Sequence, residues 1–133
     1  MDTTVIDIRT GEHLVTDVTD EVAAFCAKRG DGLLHVLAPH ATAGLAIMET
    51  GSGSEADLGD LLDRLLPRDD RYRHRHGSVG HGADHLLPTL VSPSLTVPVQ
   101  AGRVLLGVWQ RLVLVDPNSD NPDRKIRLSF LRG

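Results

Sequence analysis

A chain of 133 residues, 41% hydrophobic and 24% charged, fits one domain with one proper core and an ordinary globular composition. Aromatic residues are only 3% and net charge is −4, with no basic face beyond Arg71–Arg75, which argues against base stacking and against nucleic acid as a partner. The single cysteine, Cys26, excludes an intrachain disulfide and a cysteine-rich zinc site.

The N-terminus carries no basic segment followed by an apolar one, and no run approaches the ~20 apolar residues of a membrane span. The chain is therefore expected to be cytoplasmic, with no membrane partner. Nothing in it marks a repeat or a linker, so residues 1–133 are read as a single domain.

Val5 to Arg9 alternates apolar and polar residues and predicts a strand, with a turn at Thr10-Gly11 and a return over His13 to Thr16. Thr19 is placed as the N-cap of a first helix, with Asp20 and Glu21 in its first turn and Gly30 beyond its end. Cys26 falls on this helix as a small buried apolar residue. Leu33 to Ala38 is too short for a helix between Gly30 and Pro39, so it reads as a central buried strand, with His35 hydrogen-bonded on one sheet face. His40 follows Pro39 and precedes small residues, which leaves its imidazole uncrowded. Leu45 to Met48 resumes a strand that ends in Glu49. An odd separation puts His40 and Glu49 on opposite faces of a straight strand, and Gly44 permits the bend that could bring them together.

Gly51 to Gly53 exposes backbone N–H groups ahead of a second helix capped by Ser54, which suits either a phosphate or an ordinary cap. Leu58, Leu61, Leu62, Leu65 and Leu66 form an amphipathic stripe read as core, and Pro67 terminates it. His85 to Leu90 predicts a short helix, limited by Pro88 to about one turn. Leu95, Val97 and Val99 alternate as a strand interrupted by Pro98. Ala101-Gly102 predicts a hairpin into Arg103 to Leu106. A strand over Val108 to Val115 puts Trp109 on the sheet face. The loop Asp116 to Asp123, DPNSDNPD, lacks the glycine and terminal glutamate of a calcium-binding loop. Arg124 to Phe130 alternates as the last strand. Grouped strands point to α+β, with mixed, largely antiparallel sheet(s), two long helices and one short one.

Between the second helix and the later strands lies the most conspicuous stretch, Tyr72 to His85, YRHRHGSVGHGADH. It holds four of the seven histidines, interleaved with Arg73 and Arg75 and broken by three glycines. Zinc and similar divalent metals take neutral imidazoles and carboxylates, three from the protein at a catalytic site. His74 and His76 point the same way if extended. His81 and His85 share a face only if helical, and Gly82 argues against a helix through both. Asp84 reads as a cap or a solvated carboxylate. Arg73, Arg75 and Arg124 have the chemistry to meet phosphate.

His40-Ala41-Thr42-Ala43-Gly44-Leu45, then Glu49, Asp57-Leu58, Tyr72-Arg73-His74, Asp84-His85, Pro93-Ser94-Leu95 and Gly107-Val108-Trp109-Gln110 together resemble the YjbQ-like family, also called the secondary thiamine-phosphate synthase family. The resemblance implies an α+β fold, a homotrimer with sites at or near subunit interfaces, and weak thiamine-phosphate-synthase activity in some members. It implies that His40, His74 and His85 are the metal or substrate triad, with Glu49, Asp57 and Gln110 nearby. The family often has Asn where this chain has Met48. Gly77 to Gly82 looks particular to a subgroup, so His76 and His81 inherit no role.

The expected site therefore has His40, His74 and His85 as metal ligands. His40, Glu49 and His85 are the catalytic groups, with Glu49 as general acid/base or as the carboxylate orienting an imidazole. Arg73, Gln110 and Arg124 are the substrate-binding groups. The expected cofactor is a divalent metal, zinc or similar, with magnesium the alternative for a diphosphate substrate. The expected partner is a small phosphorylated metabolite. Two function classes follow: an enzyme acting on that metabolite, or a non-catalytic metal- or ligand-binding homotrimer.

Overall fold

The computed structural model describes residues 1–133. Its elements are β1 (Asp2–Arg9), β2 (Val15–Asp17), α1 (Thr19–Cys26), β3 (Gly32–Leu37), β4 (Gly44–Met48), α2 (Ser54–Leu65), α3 (His81–Leu90), β5 (Ser94–Gln100), β6 (Arg103–Val104), β7 (Arg111–Val115) and β8 (Asp123–Arg132). The α+β fold expected from the sequence is present, and every strand pairing is antiparallel. A five-stranded sheet runs β1-β8-β3-β5-β6, and a three-stranded sheet runs β2-β7-β4. No helix is long and apolar enough to cross a membrane.

The alternation in the strands sets up three layers. Leu34, Val36, Val97, Val99, Ile126, Leu128 and Phe130 point from the larger sheet into the main core. Leu45, Leu112 and Leu114 meet them from the smaller sheet, and Val22 and Cys26 of α1 close one side. The other face of the smaller sheet, Val113 and Val115, packs on Leu62 of α2 and Leu87 of α3. β7 is thus buried on both faces, which accounts for its unbroken apolar run Leu112–Val115.

Several local expectations are revised. β2 begins at Val15 and pairs with β7, not with β1, because its half-buried side chains complete the smaller sheet. The last strand of the first hairpin region is short: only Arg103–Val104 pairs, with Val99 opposite Val104 and Ala101-Gly102, both at positive φ, forming the turn. Strand β7 starts at Arg111, and Trp109 stands 72% exposed in the preceding turn, where the Gln110 side chain accepts from the Gly107 amide at 2.7 Å. The stripe on α2 is only partly core: Leu62 is buried, Leu58 and Leu66 pack beside it, and Leu61 and Leu65 face outward. The third helix runs ten residues, through both Gly82 and Pro88. Neither breaks it, because tertiary packing of Ala83 and Leu87 outweighs their poor propensity.

Candidate functional site

α3 begins immediately after the glycine-rich stretch, with Gly80 as its N-cap and Asp84 in its first turn. Its helical period puts His81 and His85 on one face. Their Nε2 atoms stand 2.9 Å apart. The preceding loop folds back over this face and adds His74, whose ring centroid is 4.3 Å from that of His85 and 5.2 Å from that of His81. Tyr72 tethers the loop by donating its hydroxyl to the Pro67 carbonyl at 2.6 Å. Arg71 clamps Asp69 through Nε and Nη2 at 2.8 and 2.7 Å.

Gly82 is what allows that fold-back. A Cβ there would lie 2.6 Å from the His74 carbonyl oxygen and 2.7 Å from the Tyr72 Cβ. The residue that argued against a helix is in the helix because the loop crosses it with no room for a side chain.

One ligand atom from each of His74, His81 and His85 falls within 4.8 Å of the other two. Nitrogens bound to one tetrahedral ion at about 2.0–2.1 Å lie roughly 3.3 Å apart, so small side-chain movements bring the three onto one ion. His76 is a fourth ring at the mouth, 4.1 Å from His74 and 4.9 Å from His81 by centroid. A cavity of about 140 Å³ opens beside them, also lined by Asp69, Asp70 and Arg75.

Loss of hydration lowers the pKa of His74, and the neighbouring His76 and His81 lower it further. His85 is lowered first by burial, then by His74, His81 and His76, against a smaller opposing effect of Asp84. Crowded imidazoles repel a second proton, and the neutral form is the one that ligates metal.

Behind the rings, Asp84 is 1% exposed and is held by both guanidinium nitrogens of Arg68, the second at 3.2 Å. Asn118 also donates to Asp84, at 3.0 Å. Asp84 is therefore a buried anchor for the helix bearing His81 and His85, not a solvated cap.

The other expected site residues lie elsewhere in the chain. His40 caps strand β8: its Nε2 is 3.0 Å from the Lys125 amide nitrogen and 2.9 Å from the Lys125 carbonyl oxygen. Continuing the β3–β8 register puts Pro39 opposite Lys125, and a ring protonated on Nε2 donates to the Lys125 carbonyl in place of the N–H that proline lacks. Burial holds the His40 pKa down. His40 is not one of the three converging rings. Arg124 is 6% exposed and pairs with Asp116 at 2.6 Å, with Thr42 Oγ1 at 3.1 Å, so it is part of the interior. Arg73 is exposed in the loop.

Glu49 and Gln110 are exposed at the far end of the smaller sheet, opposite each other when the Met48–Arg111 register is continued by one place. The length of β7 separates them from the Asp116 end, roughly 20 Å at 3.3 Å per residue. The missed residues are His81 and its neighbour Asn118. The spacing of His81 and His85 was the available signal.

Comparison with known proteins gives the family and the fold. Residues 4–133 match the family model described as UPF0047 protein YjbQ-like. The chain belongs to the YjbQ-like family, UPF0047. Among YjbQ-like relatives, it is 63% identical to UPF0047 protein Rv2556c of Mycobacterium tuberculosis, over the whole of both chains. It is 29% identical to UPF0047 protein YjbQ of Escherichia coli O157:H7, covering 92% of this chain and 89% of that one. Hypothetical protein APE1520 of Aeropyrum pernix superposes over the whole of both chains with a TM-score of 0.89 at 30% identity. The fold is also that of a protein of unknown function from Sulfolobus solfataricus, SSO2532, with a TM-score of 0.91 at 21% identity over 99% of this chain and 97% of that one.

Proposed function

We propose that the histidine pocket binds one divalent transition metal ion and serves a homotrimeric enzyme acting on a small phosphorylated metabolite, in the manner of a secondary thiamine-phosphate synthase. The observation that carries the reading is the convergence of His74, His81 and His85 on one point. Three imidazoles favour zinc or a similar ion over magnesium, which prefers oxygen. In the thiamine-phosphate version, the thiazole nitrogen attacks the pyrimidine methylene carbon and pyrophosphate departs. The bound ion would supply charge stabilisation for that leaving group. Arg75 at the cavity and Arg73 in the same loop add positive charge for phosphate. In this reading the His76 ring, which lines the cavity, passes a proton to the departing oxygen.

The homotrimer reading has its own support. Val108 is 87% exposed and Trp109 72%, and Leu65 and Leu90 are each more than half exposed. The adjacent Val108 and Trp109 supply the large apolar and aromatic side chains that are enriched at the centre of protein–protein interfaces. The distance between Glu49–Gln110 and the histidines within one chain favours a second copy bringing these groups to the pocket.

The test is turnover of a pyrimidine methyl diphosphate with a thiazole phosphate by zinc-loaded protein. Turnover is expected from the wild type and not from His85→Ala or Glu49→Ala. Mixed trimers of the two variants should regain part of it, because some pockets would then draw both intact residues from different copies. No turnover by the loaded wild type contradicts the enzyme reading and leaves the non-catalytic metal-binding trimer in its place. Turnover without restoration on mixing contradicts the shared pocket.

A further inference from the structure

The Asp116–Asp123 loop has no part in the proposal above, yet it contacts the histidine cluster. Asn118 is 5% exposed, and its orientation is fixed by three contacts. Its Oδ1 accepts from the Asp120 amide at 3.0 Å, so the other side-chain atom is the NH2 group. One N–H of that group donates to Asp84 Oδ2 at 3.0 Å. The remaining N–H faces His81 Nδ1 at 3.4 Å. A ring nitrogen that accepts carries no proton, so neutral His81 in this arrangement is protonated on Nε2. That proton points at His85 Nε2, 2.9 Å away, which accepts it.

This tautomer cannot ligate through Nε2, the nitrogen that faces His85. To ligate through Nε2, His81 must give up that proton and carry one on Nδ1 instead. A protonated Nδ1 would then meet the Asn118 N–H, donor against donor. One acceptor stands within reach: Asp120 Oδ2, 3.8 Å from His81 Nδ1. Ser78, in the histidine loop itself, donates its hydroxyl to the same Asp120 oxygen at 2.7 Å and holds it near Nδ1.

Resting on the metal-site reading above, we infer that Asn118 and Asp120 form a two-position holder for His81. Asn118 stabilises the metal-free tautomer, and Asp120 receives Nδ1–H in the metal-bound one. On binding, one proton leaves Nε2 for water and one is taken up at Nδ1, so His81 stays neutral throughout. Asp120 is thus a positioning residue, acting on the metal through His81. Outer partners of ligating histidines set ring orientation and basicity in this way, and their loss typically lowers affinity 10–100-fold.

The experiment uses the full chain with zinc ions as the probe. Affinity is measured by competition with a chromophoric chelator for wild type, Asp120→Ala and Asp120→Glu. Long-range proton–nitrogen NMR correlations on 15N-histidine protein read the His81 tautomer with and without zinc. The expected result is His81 protonated on Nε2 without zinc and on Nδ1 with it, with affinity about 10–100-fold lower in Asp120→Ala. Asp120→Glu should restore part of the affinity. The metal-free melting temperature of Asp120→Ala should match wild type, since the Asp120 side chain is 46% exposed. Wild-type affinity retained by Asp120→Ala, or a His81 proton that stays on Nε2 in the zinc form, overturns the holder while leaving the metal site standing. No zinc binding by the wild type overturns both.

Discussion

Gly82→Ala is expected to lower both stability and zinc affinity, the reverse of what the same change does in an ordinary helix. Alanine in a helix interior is normally favoured over glycine by about 1 kcal/mol. Here the added Cβ would stand 2.6 Å from the His74 carbonyl oxygen and 2.7 Å from the Tyr72 Cβ. Overpacking of this kind costs about 1–3 kcal/mol, enough to cancel the helical gain and leave a net loss. The cheaper response is for the loop to lift, which carries His74 away from His81 and His85. Zinc affinity should then fall by at least the roughly 10–100-fold seen when a ligand loses its orienting partner. Urea denaturation and a chelator competition check the two parts. A more stable protein with unchanged zinc binding would show that the loop does not depend on this crossing.

Arg124→Ala carries the largest expected cost in stability. Asp116 has no exposed side-chain surface, and its carboxylate meets Arg124 Nε at 2.6 Å and Nη2 at 3.3 Å. Removing the guanidinium leaves a buried carboxylate without its counter-charge, a change that typically costs about 3–5 kcal/mol. Removing both charges should recover part of that loss, since the pair itself adds little net stability, while the Asn118 amide, which donates to Asp116 Oδ1 at 3.0 Å, loses its acceptor. The measurement is the urea midpoint of Arg124→Ala against the double variant Asp116→Leu/Arg124→Met. A stable Arg124→Ala protein with impaired ligand binding would instead make Arg124 a substrate contact, as its chemistry suggested from the sequence.

The layout of the fold was legible wherever burial follows period. Leu95, Val97 and Val99, and Ile126, Leu128 and Phe130, alternate because one face of each strand meets the core. The Ala101-Gly102 turn was legible from Gly102, which takes positive φ at no steric cost. Trp109 was not, since hydrophobicity does not say whether a large ring is buried in its own chain or presented outward. Nor was the length of α3. Pro88 and Gly82 lower its intrinsic propensity, and the packing that overrides them comes from β7 and the loop.

The site was half legible for related reasons. His74 and His85 could be named from the family pattern, and their rings do meet. His81 could not be chosen over His40 without knowing that the 81–85 segment is helical. His40 sits at a strand end, as its neighbours suggested, but the missing proline N–H in the β3–β8 ladder gives its ring a structural task. Asp84 and Asn118 were invisible as site residues because their partners, Arg68 and His81, lie 16 and 37 positions away.

The central claim is that His74, His81 and His85 of one chain hold a metal ion. The most direct measurement is zinc stoichiometry by elemental analysis after dialysis, for wild type, His81→Ala and His40→Ala. One ion per chain is expected in the wild type and in His40→Ala, and a loss of most of the bound zinc in His81→Ala. Full zinc in His81→Ala together with none in a folded His40→Ala would contradict the account and return the site to His40.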